Sequence, residues 1–122
     1  MDKKTILVVE DEEALLRLQS ILLVIKGYKV ERATDGQAAL EAVTRIKPDL
    51  ILLDIMIPKI DGFEVCRQIK ANEATRHIPV IMLTAKKSRE DRIMGEQVGV
   101  DLYITKPYKS AMLIETIQRL LS

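Results

Sequence analysis

Five side chains able to bind a metal ion or a phosphate group stand directly after short apolar segments of the sequence. Glu10 and Asp11 follow "TILVV", Asp54 ends the run "LILLD", and Thr84 and Lys106 follow two later segments. Because burying an unpaired carboxylate is costly, a carboxylate at such a position must lie near water or beside positive charge. The pattern predicts a polar site built at the ends of apolar elements.

The chemistry of such a site follows from its charges. If Glu10, Asp11 and Asp54 converge, their carboxylates repel one another unless cations lie between them. Lys106 supplies one positive charge, and a hard divalent ion with oxygen ligands would supply more. Mg²⁺ suits these ligands, because it keeps several waters and accepts phosphate oxygens as additional ligands.

Each residue taken singly also has a structural explanation. Asp11 could cap the following helix, and Asp54 could be a loop residue bonded to nearby amides. Thr84 could be a hydroxyl at a strand end, and Lys106 a solvated surface charge. Only their joint placement favours a functional site.

The elements that must position these residues alternate along the chain, which predicts an α/β fold. Continuously apolar segments are typical of parallel strands covered on both faces. The order predicts a doubly wound parallel sheet whose ligand site lies beyond the carboxyl ends of the strands. Strands are predicted at 5–9, 28–32, 50–53, 79–83 and 102–105, and helices at 12–26, 36–46, 62–71, 88–98 and 110–121.

The first helix has more apolar residues than one buried stripe requires. Spacings of three and four predict an inward face, and Leu16 and Leu23 then either form a partner surface or widen the core face. The residues predicted to face inward are Leu15, Leu18, Leu22 and Ile25.

The ends of three helices also have sequence signals. Gly27 is expected to end the first helix, because glycine readily adopts positive φ. Asp61 with Glu64, and Ser88 with Asp91, have the spacing of capping boxes for the third and fourth helices.

Composition excludes several functional classes. The 122 residues suit one domain, and 48% apolar with 30% charged residues indicates a soluble globular protein. A net charge of +1, no tryptophan and 3% aromatic residues give no basis for binding nucleic acid or membranes. Cys66 is the only cysteine and His77 the only histidine, which excludes an internal disulfide and a histidine metal cluster. We expect a cytoplasmic protein, without signal peptide or membrane span.

Four motifs in order resemble the receiver domain of bacterial two-component response regulators. They are "VVEDEE", "LLDIMIPKIDG", "IMLTA" and "DLYITKPY", and the resemblance covers essentially the whole chain. It implies a flavodoxin-like (βα)5 fold with strand order 2-1-3-4-5. It also implies that residues 1–122 form a single receiver domain with no effector domain.

The resemblance implies a role for each residue of the acidic site. Asp54 would be the phosphoacceptor, receiving a phosphoryl group from a kinase histidine. Asp11 and Asp54 would hold Mg²⁺ through carboxylates, Met56 through its backbone carbonyl, and Glu10 through ordered water.

The same resemblance implies a switch. Lys106 and the Thr84 hydroxyl would bind phosphoryl oxygens, and Tyr103 would rotate into the space that Thr84 leaves. This would reshape the fourth helix and fifth strand. The domain would be no enzyme beyond its own phosphorylation and slow autodephosphorylation.

Neighbouring residues receive smaller predictions. The Lys106–Pro107 peptide resembles a cis bond of the family, and Tyr108 stands where phenylalanine is commoner. Met56 and Lys86 occupy positions that tune acyl-phosphate hydrolysis in the family, although packing or surface roles are equally compatible. Cys66 is expected to pack in the core, and His77 to lie in a surface loop.

The implied partners are a sensor histidine kinase or histidine phosphotransfer protein, and an unknown output protein. The phosphoryl donor is expected to dock over the first helix and the loop after the fifth strand. Its expected contacts are Ala14, Leu15, Leu18, Pro107 and Tyr108.

The face made by the fourth helix, the fifth strand and the fifth helix, here called the output face, is not expected to dimerise strongly on phosphorylation, so the chain should be a monomer or weak dimer. Asp101 is present, and Arg119 could pair with it, but Leu102 and Thr116 replace charged residues found in the transcription-factor branch of the family. Leu102 and Met94 would suit a hydrophobic partner better.

Three rival functions are set against this one. A haloacid dehalogenase-type phosphatase expects an aspartate where Met56 stands. A flavodoxin-like FMN carrier needs a phosphate-cradling loop after the first strand, where "EDEE" would repel phosphate. A receiver-like adaptor that is never phosphorylated is disfavoured by the intact set of site residues.

Overall fold

The computed structural model describes residues 3–85 and 89–122, and of Arg89 the backbone only. Strands and helices alternate along the chain. The strands are β1 (Thr5–Val9), β2 (Lys29–Ala33), β3 (Leu50–Asp54), β4 (Val80–Thr84) and β5 (Leu102–Thr105). The helices are α1 (Glu13–Ile25), α2 (Gly36–Ile46), α3 (Gly62–Ala71), α4 (Arg89–Val98) and α5 (Ser110–Leu121).

The five strands form one parallel sheet in the order β2-β1-β3-β4-β5, so the predicted flavodoxin-like fold is confirmed. In register, Val9 of β1 stands opposite Leu53, and Asp54 of β3 stands opposite Leu83. The carboxyl ends of β1, β3 and β4 therefore meet at one edge of the sheet. Predicted element bounds agree with the observed ones to within one residue.

Helices cover both faces of the sheet. Alternate residues of β1 and β3 point to opposite faces, as the period of a strand requires. Leu7 and Ile51 pack under α2, α3 and α4, whereas Ile6 and Leu50 pack under α1 and α5. Two helices thus cover one face and three cover the other.

The predicted inward face of α1 is wrong. Leu18 is 51% exposed and Ile25 71% exposed, while Leu15 and Leu22 are only partly buried. Leu16 and Leu23 belong to the core, so they form no partner surface. The residues that α1 buries are Leu16, Gln19, Ser20 and Leu23.

Two of those buried residues are polar, and hydrogen bonds satisfy them. The Gln19 side-chain amide donates to the Tyr108 hydroxyl at 2.6 Å, which ties α1 to the loop after β5. The Ser20 hydroxyl donates to the Leu16 carbonyl at 2.7 Å, within the helix. A polar pair therefore occupies positions that an apolar pattern would assign to solvent.

The predicted helix ends are mostly confirmed. Gly27 has a φ of +98° just after α1. Asp61 caps α3 by accepting the Glu64 amide at 3.0 Å, whereas the Glu64 carboxylate accepts from Arg67 and Gln68 and makes no return bond. The Ser88 cap lies outside the described residues.

Cys66 and His77 occupy the environments predicted for them. Cys66 is fully buried in α3, and burial raises the pKa of its thiol to about 11. His77 is exposed in the segment before β4. Within the described ranges, no helix is both long and apolar enough to cross a bilayer.

A lysine–aspartate pair joins α3 to the amino ends of β4 and β5. Lys70 Nζ lies 2.8 Å from Asp101 Oδ2 and also donates to the carbonyls of Ile78 and Arg76, at 2.7 and 3.1 Å. Asp101 Oδ2 accepts the Val80 amide at 2.7 Å as well. Every donor of this lysine is therefore matched by an acceptor.

Candidate functional site

The predicted acidic residues meet at the carboxyl edge of the sheet. Asp54 ends β3, and Glu10 follows the neighbouring β1, where its amide donates to the Ala33 carbonyl at 3.0 Å. Lys106 follows β5, and its amide donates to the Thr84 carbonyl at 2.8 Å. Backbone hydrogen bonds thus fix the positions from which these side chains project.

Three carboxylates form a cluster. Glu10, Asp11 and Asp54 each offer an oxygen, and these oxygens lie within 4.8 Å of one another. Glu10 and Asp54 are buried, whereas Asp11 is exposed. Asp11 does not cap α1, because the N-cap position belongs to Glu12. The capping explanation for Asp11 is therefore wrong.

Lys106 supplies the only cation among the described contacts of this cluster. Its Nζ lies 2.9 Å from Asp54 Oδ2 and 3.5 Å from Glu10 Oε1. Burial alone would lower the pKa of the Lys106 ammonium. The hydrogen bonds and negative charges of Asp54 and Glu10 outweigh burial, so the pKa is raised overall. When all three carboxylates are ionised, one ammonium facing them leaves the site with excess negative charge.

The ionised form of Glu10 is disfavoured in this buried position beside Asp54. Burial is the largest cause that raises the pKa of this carboxyl, and a hydrogen bond from the Glu12 amide and the Lys106 charge oppose it. With the charge and hydrogen bond of Asp54, which also raise it, the pKa is about 7. The amide bond, from Glu12 to Glu10 Oε2, is 3.1 Å long. A second cation would stabilise the ionised cluster. The donor atoms of the cluster are all oxygens, which fit a hard ion such as Mg²⁺.

The carboxylate of Asp54 is held at both oxygens. Oδ2 accepts from Lys106, and Oδ1 accepts the Met56 amide at 3.0 Å. Helix α3 starts directly against this strand end, since a Cβ at Gly62 would come within 2.7 Å of the Asp54 carbonyl oxygen. Each carboxylate oxygen keeps a further lone pair, so the group is fixed in position and still able to bind or react.

Solvent reaches the cluster from one side. A depression of about 410 Å³ borders Asp11, Met56 and Phe63. Met56 is 60% exposed at its rim, which favours an open position over a core role for this side chain. Lys86, the other residue assigned to hydrolysis, lies outside the described residues.

Thr84 and Tyr103 lie on the same face of the sheet. Thr84 is fully buried at the end of β4, two residues after Met82, which stands opposite Tyr103 in β5. Tyr103 is partly buried and contacts α4. A Cβ at Gly95 would lie 3.1 Å from its ring, and the Arg92 guanidinium is 5.8 Å from the ring centroid.

The remaining predictions concern the Lys106–Pro107 peptide bond and the residues of the output face. The Lys106–Pro107 bond is cis. Leu102 is only partly buried and packs against the α1/α5 core, so it is less available to a partner than predicted, whereas Met94 is 44% exposed. Within the chain, Asp101 pairs with Lys70 and Arg119 pairs with Glu115.

Sequence reasoning missed two contacts of the site. Glu10 was expected to act through water, but it lies within reach of Lys106 directly. The Met56 amide was not recognised as a donor to Asp54, although a residue two positions after an aspartate commonly makes this bond.

The sequence matches the family model described as the response regulator receiver domain over residues 6–118. The chain therefore belongs to the receiver domains of response regulators, which act in two-component signalling. Membership of this family removes the phosphatase and flavin-carrier alternatives.

Individual relatives agree with the family. The chain is 46% identical over 115 residues to response regulator PleD of Caulobacter vibrioides, covering 94% of this chain and 25% of PleD. It is 41% identical over 116 residues to the DNA-binding dual master transcriptional regulator RpaA of Synechocystis, covering 95% of this chain and 48% of RpaA. The chain thus spans between a quarter and a half of the length of these relatives.

A solved structure agrees as well. The chemotaxis response regulator CheY4 of Vibrio cholerae superposes with a TM-score of 0.91 at 31% identity, covering 98% of this chain and 100% of that one.

Proposed function

We propose that this domain is a signalling switch that accepts a phosphoryl group on Asp54 from a phosphohistidine. The single observation that carries the proposal is the arrangement around Asp54: a buried carboxylate at a strand end, 2.9 Å from Lys106 and clustered with Glu10 and Asp11. The donor is a sensor histidine kinase or a histidine phosphotransfer protein.

In the reaction, an Asp54 oxygen forms a bond to phosphorus while the bond between phosphorus and the donor's imidazole nitrogen breaks. The imidazole leaves with the bonding electron pair and takes up a proton. Lys106 then transfers its hydrogen bond from Asp54 to a phosphoryl oxygen. Such transfer depends mainly on positioning and electrostatics, which the two held oxygens of Asp54 provide.

Mg²⁺ would be held by carboxylates of Asp11 and Asp54 and by the Met56 carbonyl, with Glu10 acting through water or through Lys106. When bound, it would neutralise charge between the nucleophile and the phosphoryl oxygens. In the absence of the phosphoryl group, Lys106 keeps Asp54 oriented.

The signal would leave through α4, β5 and α5. Thr84 would bond a phosphoryl oxygen, and Tyr103 would move from its contact with Gly95 toward the space near Thr84. Because Tyr103 contacts α4, this movement would change the surface offered to an output protein. We place the protein in the cytoplasm, with no chemistry beyond its own phosphorylation and slow autodephosphorylation.

The phosphoryl donor would dock over α1 and the loop after β5. An apolar depression of about 320 Å³ lies between α1 and α5, beside Lys106. Leu18, Pro107 and Tyr108 are among the residues that line it. A donor seated there would bring its histidine to the open edge of the site.

Intact mass after incubation with acetyl phosphate or phosphoramidate tests phosphorylation. We expect one added phosphoryl group with Mg²⁺ and none with EDTA or in Asp54→Asn. Undiminished labelling of Asp54→Asn would contradict the assignment of the acceptor. No labelling of the wild-type chain under any of these conditions would favour the adaptor function.

Docking has a separate test. Leu18→Lys should slow transfer from a phosphohistidine protein while leaving labelling by a small donor unchanged. The matched control is Ile93→Lys, which adds the same charge to a 42% exposed residue of α4. Equal slowing by Leu18→Lys with both donors would argue against docking on α1.

A further inference from the structure

The segment 55–61, here called the Met56 loop, carries the backbone carbonyl that is proposed to hold Mg²⁺. The base of this loop is closed, because the Ile55 carbonyl accepts the amides of both Ile57 and Gly62, each at 3.0 Å. Ile57 is buried and belongs to the hydrophobic core. The loop also forms much of the wall of the depression beside the acidic cluster. Its conformation therefore decides where the Met56 carbonyl lies.

The far side of the Met56 loop rests against the start of α2. The Gly36 amide donates to the Pro58 carbonyl at 3.1 Å. The approach leaves no space for a side chain, because a Cβ at Gly36 would overlap the Ile60 carbonyl oxygen and lie 2.7 Å from the Ile60 Cβ. Lys59 Nζ adds an ion pair with Asp35 Oδ2, at 3.6 Å. Two consecutive residues at the start of α2 thus hold the loop from outside.

The helix itself gives no reason for a glycine at position 36. Gly36 does not have a positive φ, and alanine is the better helix former. The cap of α2 is the Asp35 side chain, which accepts the Ala38 amide at 2.8 Å in a bond that does not involve Gly36. The close approach of the Met56 loop is what requires a residue without a side chain.

Little in the Met56 loop can absorb a displacement. The ring of Pro58 fixes its φ, and Lys59 already has a φ of +70°, a conformation that few non-glycine residues adopt. Ile60 packs against the core. A push on Ile60 is therefore transmitted along the loop to Met56, whose amide donates to Asp54 Oδ1.

We propose that Gly36 is a positioning residue for the metal site. By letting the Met56 loop lie directly on α2, it sets the position of the Met56 carbonyl and of the amide that holds Asp54. This inference rests on the proposed function, because it concerns a metal ligand assigned there. It goes further by giving a role to α2, a helix that lies outside the cluster of Glu10, Asp11 and Asp54.

Mg²⁺ binding to the metal-free chain, measured by isothermal titration calorimetry, tests the proposal. Gly36→Ala should weaken binding about tenfold, at the lower end of the cost of losing support around a metal ligand. The matched control is Gly27→Ala. Gly27 has a φ of +98° and open space at its Cβ position, so alanine there strains the backbone without touching the loop. This control should bind Mg²⁺ within about twofold of wild type.

Two further measurements separate positioning from a simple loss of stability. In NMR spectra of the metal-free protein, the Met56 amide resonance should shift in Gly36→Ala and stay unchanged in Gly27→Ala. Labelling of Gly36→Ala by acetyl phosphate should need more Mg²⁺ to reach half of its maximum rate. The rate at saturating Mg²⁺ should stay within about twofold of wild type, because Asp54 and Lys106 are positioned by the strands.

Lys59 provides a second test, which does not depend on the folding of Gly36→Ala. Lys59→Gly keeps the positive φ accessible and should bind Mg²⁺ within about twofold of wild type. Lys59→Val introduces a β-branched residue that disfavours this conformation, so it should distort the loop from within and weaken binding about threefold or more.

The outcomes distinguish this inference from the proposed function. Wild-type Mg²⁺ affinity in Gly36→Ala, with an unchanged circular dichroism spectrum, would overturn the positioning role and leave the metal site standing. If Gly36→Ala does not fold, wild-type affinity in Lys59→Val would overturn it instead. Equal weakening by Gly27→Ala would also overturn it, because strain elsewhere would then suffice. Absence of Mg²⁺ binding by the wild-type chain would overturn the metal site and this inference together.

Discussion

Two lysine–aspartate pairs lie at opposite ends of the same sheet, and their geometry is nearly the same. Lys106 Nζ is 2.9 Å from Asp54, and Lys70 Nζ is 2.8 Å from Asp101. Their surroundings differ. Lys70 has two backbone carbonyls as its other acceptors, whereas the other acceptor of Lys106 is a second carboxylate, Glu10.

The difference separates a charge-balanced pair from a pair that lies inside a cluster of like charges. At the amino edge, one positive charge meets one negative charge, and neutral backbone groups complete the hydrogen bonding. At the carboxyl edge, one ammonium meets three clustered carboxylates, so the site is left with charge that another cation or a ligand could balance. The distance between the paired atoms is therefore a poor guide to function, and the charge around the pair is a better one.

The largest expected difference between the pairs is in phosphorylation rate. Lys106→Met removes the donor that is proposed to stabilise phosphoryl oxygens, so labelling by acetyl phosphate should slow by about 100-fold. Lys70→Met, the matched change at the amino edge, should leave the rate within about twofold of wild type. Time courses of intact mass measure both rates. Comparable slowing in the two variants would contradict the proposed difference between the two lysine–aspartate pairs.

A smaller and opposite difference is expected in stability. Asp101→Asn weakens the bonds to Lys70 and Val80 and should lower the free energy of unfolding by about 1 kcal/mol. Asp54→Asn reduces repulsion among the carboxylates and should not lower it. Urea denaturation followed by circular dichroism compares the two, and a clear loss of stability in Asp54→Asn would contradict the charge argument.

The smallest effect concerns Cys66, whose pKa is influenced by both members of the Lys70–Asp101 pair. Because burial raises the pKa of the thiol to about 11, alkylation by iodoacetamide at pH 8 should be slow, and faster at pH 10 as more thiolate forms.

Asp101→Asn should speed this alkylation by up to about fivefold, the factor that corresponds to the expected loss of about 1 kcal/mol, if opening of the fold limits access. Asp54→Asn serves as the control and should alkylate at the wild-type rate. Rapid labelling of the wild-type thiol at pH 8 would show that Cys66 is not protected as its burial requires.

The sequence predicted the sheet well because its strands are short, apolar and bounded by polar residues. It also predicted which residues meet, since Glu10, Asp54 and Lys106 all lie at or just beyond the carboxyl ends of strands of one parallel sheet. The details of their contacts were less accessible. Whether Glu10 reaches Lys106 directly depends on the side-chain conformations of both residues, which no spacing rule describes.

Helix α1 shows why periodicity fails where apolar residues are abundant. Apolar residues occur on both sides of this helix, so more than one phase of a 3.6-residue period fits. The buried face includes Gln19 and Ser20, whose hydrogen bonds to Tyr108 and Leu16 offset their polarity. A pattern that counts only apolar residues therefore selected the exposed side.

The contact between Glu10 and Lys106 joins residues 96 positions apart in the chain. During synthesis, Asp54 leaves the ribosome long before Lys106 does, and until β5 pairs with β4 the Asp54 carboxylate does not have the Lys106 ammonium beside it. A prematurely terminated chain would carry the aspartate and lack its lysine. The complete set of charges around Asp54 is therefore a property of the finished fold, and an incomplete chain cannot assemble it.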